Sequence, residues 1–215
     1  MPVVWFIRHA ESQANAGQRT SDPAQIELTP DGEEQARHIA SAFTQAPALI
    51  VTSPYVRTKQ TALFTQQRFS PVKREEWPIQ EFTYLAPARC VNMTASERRP
   101  LAAAYWQRND PAYVDGIGAE SFAGLMHRVE ELLNRLWARS EEQIAIFSHG
   151  QFIRAVIWRL WRDRIQVSGD TMKEFRSFLE LFPLPNGAII QVNFSEGEVW
   201  LSQVITSHLT AEFRT

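Results

Sequence analysis

Two histidines in this sequence stand just past short apolar runs, and each has polar neighbours. Residues 3–7 lead into Arg8-His9-Ala10-Glu11-Ser12-Gln13-Ala14-Asn15, and residues 144–147 lead into Ser148-His149-Gly150. A third run, Leu49-Ile50-Val51, leads into Thr52-Ser53-Pro54 and then Tyr55-Val56-Arg57-Thr58-Lys59-Gln60-Thr61-Ala62. Singly, these segments read as a surface ion pair, a satisfied histidine and a helix start with an exposed basic face. Together they bring two imidazoles and two guanidiniums to one place, with Asn15 as a further donor. Phosphate oxygens call for several rigid donors, and the planar fork of arginine suits them. Phosphoryl transfer needs mainly positioning and charge stabilisation. A neutral imidazole is nucleophilic near neutral pH. The set meets the needs of histidine-mediated phosphoryl transfer.

The elements that must position these residues follow from the apolar pattern. Near-continuous β-branched and aromatic runs fit strands buried on both faces. Helical patterns follow them. Thr29 caps a helix with Pro30 at its first position and Asp31, Glu33 and Glu34 in its first turn, reaching about residue 45 and burying Ala36, Ile39, Ala40 and Phe43. Pro54 opens a second helix to about residue 69. A third covers 121–139, with Phe122, Leu125, Val129, Leu132, Leu133 and Leu136 at helical spacing. A fourth runs over about 152–162. Residues 188–194 and 199–205, separated by Glu196-Gly197, read as a hairpin. Strands alternating with helices predict a three-layer α/β/α fold with a mostly parallel central sheet. The chain reads as a single domain over 1–215. Residues 82–119, with Pro87, Pro100, Pro111, Gly116, Gly118 and a helix over about 95–107, read as a variable insertion over the active-site edge. The polar residues then lie beyond the carboxyl ends of three strands, where open α/β sheets bind ligands.

At this point the sequence resembles the histidine phosphatase superfamily, in the branch that contains the cofactor-dependent phosphoglycerate mutases. Arg8-His9-Ala10 is similar to its Arg-His-Gly signature, with alanine in place of the glycine. Asn15 stands at the phosphate-binding asparagine position. Leu28-Thr29-Pro30-Asp31-Gly32-Glu33-Glu34-Gln35-Ala36 resembles the Leu-Thr-x-x-Gly-x-x-Gln-Ala helix start. Residues 53–62 are similar to the block carrying the second arginine, and Ser148-His149-Gly150 to the second histidine block. The resemblance implies His9 as the nucleophile, with Arg8, Arg57 and His149 on the equatorial oxygens and Asn15 and Gly150 beside the substrate. It implies a general acid after the next strand, a place that Glu81 fits. Glu75 and Glu76 are nearby alternatives, with Glu11 and Glu120 as weaker rivals. Phe82-Thr83-Tyr84-Leu85-Ala86-Pro87 lacks the Arg-x-Tyr-Gly-x-Leu pattern of the mutases, which favours a phosphatase. The expected activity is a metal-independent phosphomonoesterase, without a cofactor, acting through a phosphohistidine. A phosphoglycerate-type mutase and a noncatalytic phospholigand-binding protein are the alternatives.

Composition sets the outer bounds. The 215 residues carry a formal net charge of −2, so nothing points to a nucleic-acid or anionic-membrane partner. The one cysteine, Cys90, rules out an intramolecular disulfide and argues against a cysteine zinc site. No run approaches a membrane span, and the amino terminus lacks a leader, so a cytoplasmic protein is expected. The substrate is a small phosphate ester or a phosphoprotein, and the oligomeric state is open. Arg89, Arg98, Arg99 and Arg108 read either a second anionic group or solvent. His38, His127 and His208 are expected to be structural or exposed. Among the tryptophans, Trp77 and Trp106 are candidates for substrate contact.

Overall fold

The computed structural model describes residues 2–162, 164–195 and 198–213. The three apolar runs form strands β1 (Val3–Arg8), β2 (Leu49–Thr52) and β4 (Gln143–Ser148), which lie side by side. With β3 (Lys73–Glu76), β5 (Ile189–Ser195) and β6 (Glu198–Leu201), they make a six-stranded sheet in the order β3-β2-β4-β1-β5-β6. The four strands β3, β2, β4 and β1 are parallel, β5 pairs antiparallel with β1, and β6 pairs antiparallel with β5. Period-two alternation sends neighbouring side chains to opposite faces. Val4, Phe6, Leu49, Val51, Ile144 and Ile146 share one core with the helices α4 (Phe122–Trp137), α5 (Gly150–Leu160) and α6 (Gly169–Leu181). Ile7, Ile50, Ala145 and Phe147 pack on the other face with Ile39 and Phe43 of the α1 region (Pro30–Ala42) and Ala62 of α2 (Val56–Arg68). Strands covered by helices on both faces are the expected three-layer α/β/α arrangement. α3 (Ala95–Arg108) lies within the 82–119 segment.

Capping sets most helix starts. The Thr29 hydroxyl accepts from Gly32 N, Ser121 from Gly124 N and Thr94 from Glu97 N, each satisfying an orphan amide of the first turn. All six apolar residues expected to be buried on α4 are buried. Several boundaries differ from expectation, and four bear on the site or the sheet. α1 ends at Ala42, where Phe43 turns extended. α2 starts at Val56 rather than Pro54, because Tyr55 at its N-cap is still extended (ψ 139°). α5 starts at Gly150, directly behind His149. The second hairpin strand ends at Leu201, although Ile205 still bridges Ile189. The turn expected at Glu196-Gly197 lies outside the described residues. α6 was not expected, and β3 stands where the resemblance implied a strand ahead of Glu81. Among the described residues, no helix is long and apolar enough to cross a membrane.

The parallel register delivers the polar residues to one edge. Arg8 pairs with Ser148 and Thr52 with Phe147. His9 N donates to the Ser148 carbonyl at 2.9 Å, and Ser53 N to the Phe147 carbonyl at 3.3 Å. The chain leaves all three strands side by side.

Candidate active site

His9 is buried at the floor of a cleft of about 630 Å³ that Arg8, Asn15, Arg57 and Glu81 also line. Its tautomer follows from its partners. Nδ1 lies 2.7 Å from the Ala10 carbonyl, which only accepts, so Nδ1 carries the proton. Nε2 then holds the lone pair, and Arg57 Nε donates to it at 3.1 Å. Burial, with Arg57 and then Arg8 adding like charge, holds the His9 imidazole well below the usual histidine range. The ring is therefore neutral at pH 7, with its Nε2 lone pair turned to Arg57.

The loop carrying His9 is pinned from several sides. Ala10 N donates to the Thr61 hydroxyl, which donates in turn to the Arg57 carbonyl. Glu11 N donates to the Gln35 amide oxygen at 2.8 Å, and Thr29 N to the Glu11 carbonyl at 3.1 Å. A Cβ at Gly32 would lie 2.0 Å from that carbonyl oxygen, so only glycine lets α1 approach this closely. The helix-start motif thus acts as a seat for the loop after His9.

Asn15 is oriented by three donors to its amide oxygen: Ser12 N, the Ser12 hydroxyl and Asn186 Nδ2. That leaves its NH₂ as the group free to serve an anion. Asn186 also donates to the carbonyls of His9 and Ala10. No pattern in the sequence marks Asn186, which acts through tertiary contacts alone. Arg57 is fixed by the Pro23 carbonyl at 2.6 Å and lies over the Tyr55 ring at 5.0 Å. Arg8 donates to the Leu184 carbonyl, and its Nε is buried without a partner among the described residues. Burial lowers the Arg8 pKa to about 10, with Glu81 opposing and Arg154 and Arg57 adding to the shift, so Arg8 stays charged at neutral pH.

His149 is fully buried against His9, their ring centroids 5.2 Å apart, and does not itself line the cleft. Its Nε2 sits 2.7 Å from the Ser53 hydroxyl, and its Nδ1 is buried without a partner among the described residues. Burial and then Arg57 also hold it well below the usual range. Gly150 is likewise buried and outside the cleft lining, and a Cβ there would lie 3.3 Å from Arg8 Nε.

Of the five candidate glutamates, only Glu81 lines the cleft. Its carboxylate accepts from Phe82 N at 3.0 Å, Gln151 N at 3.0 Å and Phe152 N at 3.2 Å, at the start of α5. The others are engaged elsewhere: Glu11 with Thr29, Glu75 with Arg139, Glu76 with Lys59 and Glu120 with Arg128. His38 and His127 face glutamates on their own helices, and His208 reaches the Gly187 carbonyl. Neither tryptophan lines the cleft. Trp77 is buried between Arg135 and Arg139, and Trp106 packs among Phe82, Tyr84 and Phe175.

Residues 4–205 match the family model described as histidine phosphatase superfamily (branch 1). The chain belongs to the histidine phosphatase superfamily. Within that superfamily, a protein of Enterobacter sp. (strain 638) named as a probable phosphoglycerate mutase, GpmB, is 41% identical over 63 residues. That match spans 29% of this chain and 29% of the relative, so the chain covers under a third of that protein's length. A phosphoserine phosphatase variant from Entamoeba histolytica in complex with phosphoserine superposes with a TM-score of 0.69 at 22% identity, over 97% of this chain and 100% of that one. An alpha-ribazole phosphatase from Shigella flexneri superposes with a TM-score of 0.72 at 21% identity, over 94% and 95%. At these identities the structural likeness establishes the fold.

Proposed function

We propose that the chain is a phosphomonoesterase working through a phosphohistidine on His9. The observation that carries the reading is the locked His9 ring, with Nδ1 bound to the Ala10 carbonyl and the Nε2 lone pair at the floor of a cleft shared with Glu81. Incoming phosphate takes over the Arg57 guanidinium and so frees Nε2. The lone pair attacks phosphorus in line, the P–O ester bond breaks, and its electron pair goes to the leaving oxygen, which takes the proton of the Glu81 carboxyl. Arg8, Arg57 and His149 stabilise the equatorial oxygens, and the Asn15 NH₂ assists. A water molecule then gives its proton to Glu81 as its oxygen attacks the phosphohistidine, and the N–P electrons return to Nε2. The guanidiniums supply the positive field, so the step needs no metal.

Ser53 sets the tautomer of His149. Phosphate oxygens only accept, so Nδ1 must carry a proton to serve them, and Nε2 must then accept from the Ser53 hydroxyl. The Ser53 hydroxyl accepts from the Tyr55 amide and lies 2.9 Å from the Thr58 hydroxyl; with Thr58 donating to it, its own proton goes to His149 Nε2 at 2.7 Å.

The segment similar to a phosphoglycerate mutase favours a second reading, in which the phosphoryl group returns to the substrate. The test is a screen of phosphomonoesters with the wild-type protein and His9→Ala, with and without EDTA. Release of phosphate that survives EDTA and disappears in His9→Ala supports the reading. Isomer exchange of phosphoglycerates without net phosphate release would replace it with the mutase, and activity retained in His9→Ala would remove both.

A further inference from the structure

Asn186 stands outside the lining of the cleft, yet its side chain holds together three groups of the loop that carries His9. It sits in a tight turn. Ala188 N donates back to the Pro185 carbonyl at 3.1 Å, and Gly187 takes a left-handed φ of +73°. Glycine adopts that backbone without strain at the third position of a turn. Residues 184–188 close on the end of β1 at several points. The Arg8 guanidinium donates to the Leu184 carbonyl, Arg8 N to the Ala188 carbonyl at 3.0 Å, and Gly187 N to the His9 carbonyl at 3.3 Å. The Asn186 side chain is thus aimed at the His9 loop from a fixed base.

That side chain brings two amide protons to three acceptors: the His9 carbonyl at 3.0 Å, the Ala10 carbonyl at 3.3 Å and Asn15 Oδ1 at 3.1 Å. Carbonyls only accept, so the two backbone carbonyls make Asn186 turn its NH₂ and not its oxygen to the loop. Asn15 is set in turn. Its Oδ1 receives Asn186 Nδ2, Ser12 N at 3.2 Å and the Ser12 hydroxyl at 2.8 Å. If the Asn15 amide were turned over, its NH₂ would face Ser12 N and the Asn186 NH₂, two donors that cannot rotate away. The Ser12 hydroxyl alone could turn to accept. Donors set against donors forfeit their hydrogen bonds. A turned-over amide would also offer an oxygen, rather than protons, to an anion in the cleft. The Ala10 carbonyl that takes the His9 Nδ1 proton at 2.7 Å therefore also fixes Asn186. The tautomer of His9 and the orientation of Asn15 share one acceptor.

We infer that Asn186 is a positioning residue for phosphoryl transfer: it holds the Asn15 amide with its NH₂ turned to the phosphate. This rests on the reading of the His9 cleft as the phosphate site. Orientation passes from the backbone carbonyls of His9 and Ala10 to Asn186, and from Asn186 to Asn15.

The test is a double-mutant cycle with inorganic phosphate as the probe. Binding is measured by calorimetry for the wild type, Asn15→Ala, Asn186→Ala and the double variant. Asn15→Ala should weaken binding about tenfold, the scale of one hydrogen bond to a charged group. Asn186→Ala should weaken it about threefold or more, because Ser12 N still opposes the turned-over amide. The double variant should match Asn15→Ala within about twofold, since an orienting residue has nothing to act on once the Asn15 amide is gone. Support of the loop alone would instead weaken binding equally in both backgrounds. Losses that add, or binding by Asn15→Ala or Asn186→Ala equal to the wild type, would overturn the assignment. Asn186→Ser, whose hydroxyl is too short to reach Asn15, carries the same cycle if Asn186→Ala does not fold. Turnover of p-nitrophenyl phosphate by the wild type, measured alongside, separates the two claims. Turnover with additive losses removes the role of Asn186 alone, and a non-additive cycle without turnover removes the phosphatase reading alone.

Discussion

The two buried imidazoles make stability itself sensitive to acid. His9 and His149 are held neutral in the native protein by burial and by Arg57, whereas in the unfolded chain each takes up a proton near pH 6.5. The unfolded state therefore binds more protons as pH falls, and stability must fall with it. The contribution is fully present above about pH 6.5 and is lost progressively as pH drops toward the depressed native values. If both native rings stay neutral to pH 5.0, each histidine costs about 2 kcal/mol between pH 7.5 and 5.0, hence about 4 kcal/mol for the pair. That is a large share of a typical domain stability of about 5–15 kcal/mol. Carboxylates elsewhere also titrate in this range, so the comparison is with a His9→Asn/His149→Asn variant, in which only the two rings are gone. Urea unfolding at pH 7.5 and pH 5.0 should show the wild type losing about 4 kcal/mol more than the variant. Saturating inorganic phosphate should shrink the wild-type loss, because a bound anion favours the charged rings. Parallel losses in the two proteins would refute the argument, since they would mean that both histidines protonate in the folded state.

Glu81→Gln should slow alkyl phosphates by about a hundredfold to ten-thousandfold, the usual range for a general acid. It should slow phosphorylation of His9 by p-nitrophenyl phosphate far less. Because the same carboxylate activates water, a burst of nitrophenol followed by slow turnover is expected, and equal slowing of both substrates without a burst would exclude Glu81 as the acid–base group. Ser53→Ala should leave His149 without its tautomer partner: nitrogen NMR of the phosphate-bound protein should show Nδ1–H dominant in the wild type and a mixed population in the variant. Ser53→Thr should restore the wild-type spectrum, and identical spectra in all three proteins would remove Ser53 from the account. Gly32→Ala should destabilise the protein by about 1–3 kcal/mol, the usual cost of overpacking, because its Cβ would meet the Glu11 carbonyl; a thermal midpoint equal to wild type would show that α1 does not press on the His9 loop.

The sequence made the sheet and the polar edge legible wherever burial was two-sided or a cap was explicit. β1, β2 and β4 are buried on both faces and read as unbroken apolar runs, and α1 and α4 announce themselves through Thr29 and Ser121. β3 could not be read that way. Its residues Lys73-Arg74-Glu75-Glu76 are charged, because an edge strand pairs on one side only and faces water. α6 is marked in the sequence only by Met172, Phe175 and Leu179, spaced for one buried face behind a Ser168 cap. Within the site, His9, Arg57 and Glu81 stood out through their motifs. Asn186 reaches the His9 loop from the far end of the chain through an ordinary asparagine. That Arg98 lines the cleft while Arg89 lies outside it was equally invisible, because it depends on Asp115 lying beside one and not the other.

The central claim is that phosphorus is transferred to His9 Nε2, and rapid quenching tests it most directly. Wild-type protein mixed with radiolabelled phosphomonoester, stopped in alkali within milliseconds and digested, should give one labelled peptide carrying residue 9, with a phosphate that is stable in base and released by acid. Turnover of the same ester with no label on that peptide, or label on a serine or a carboxylate instead, would contradict it.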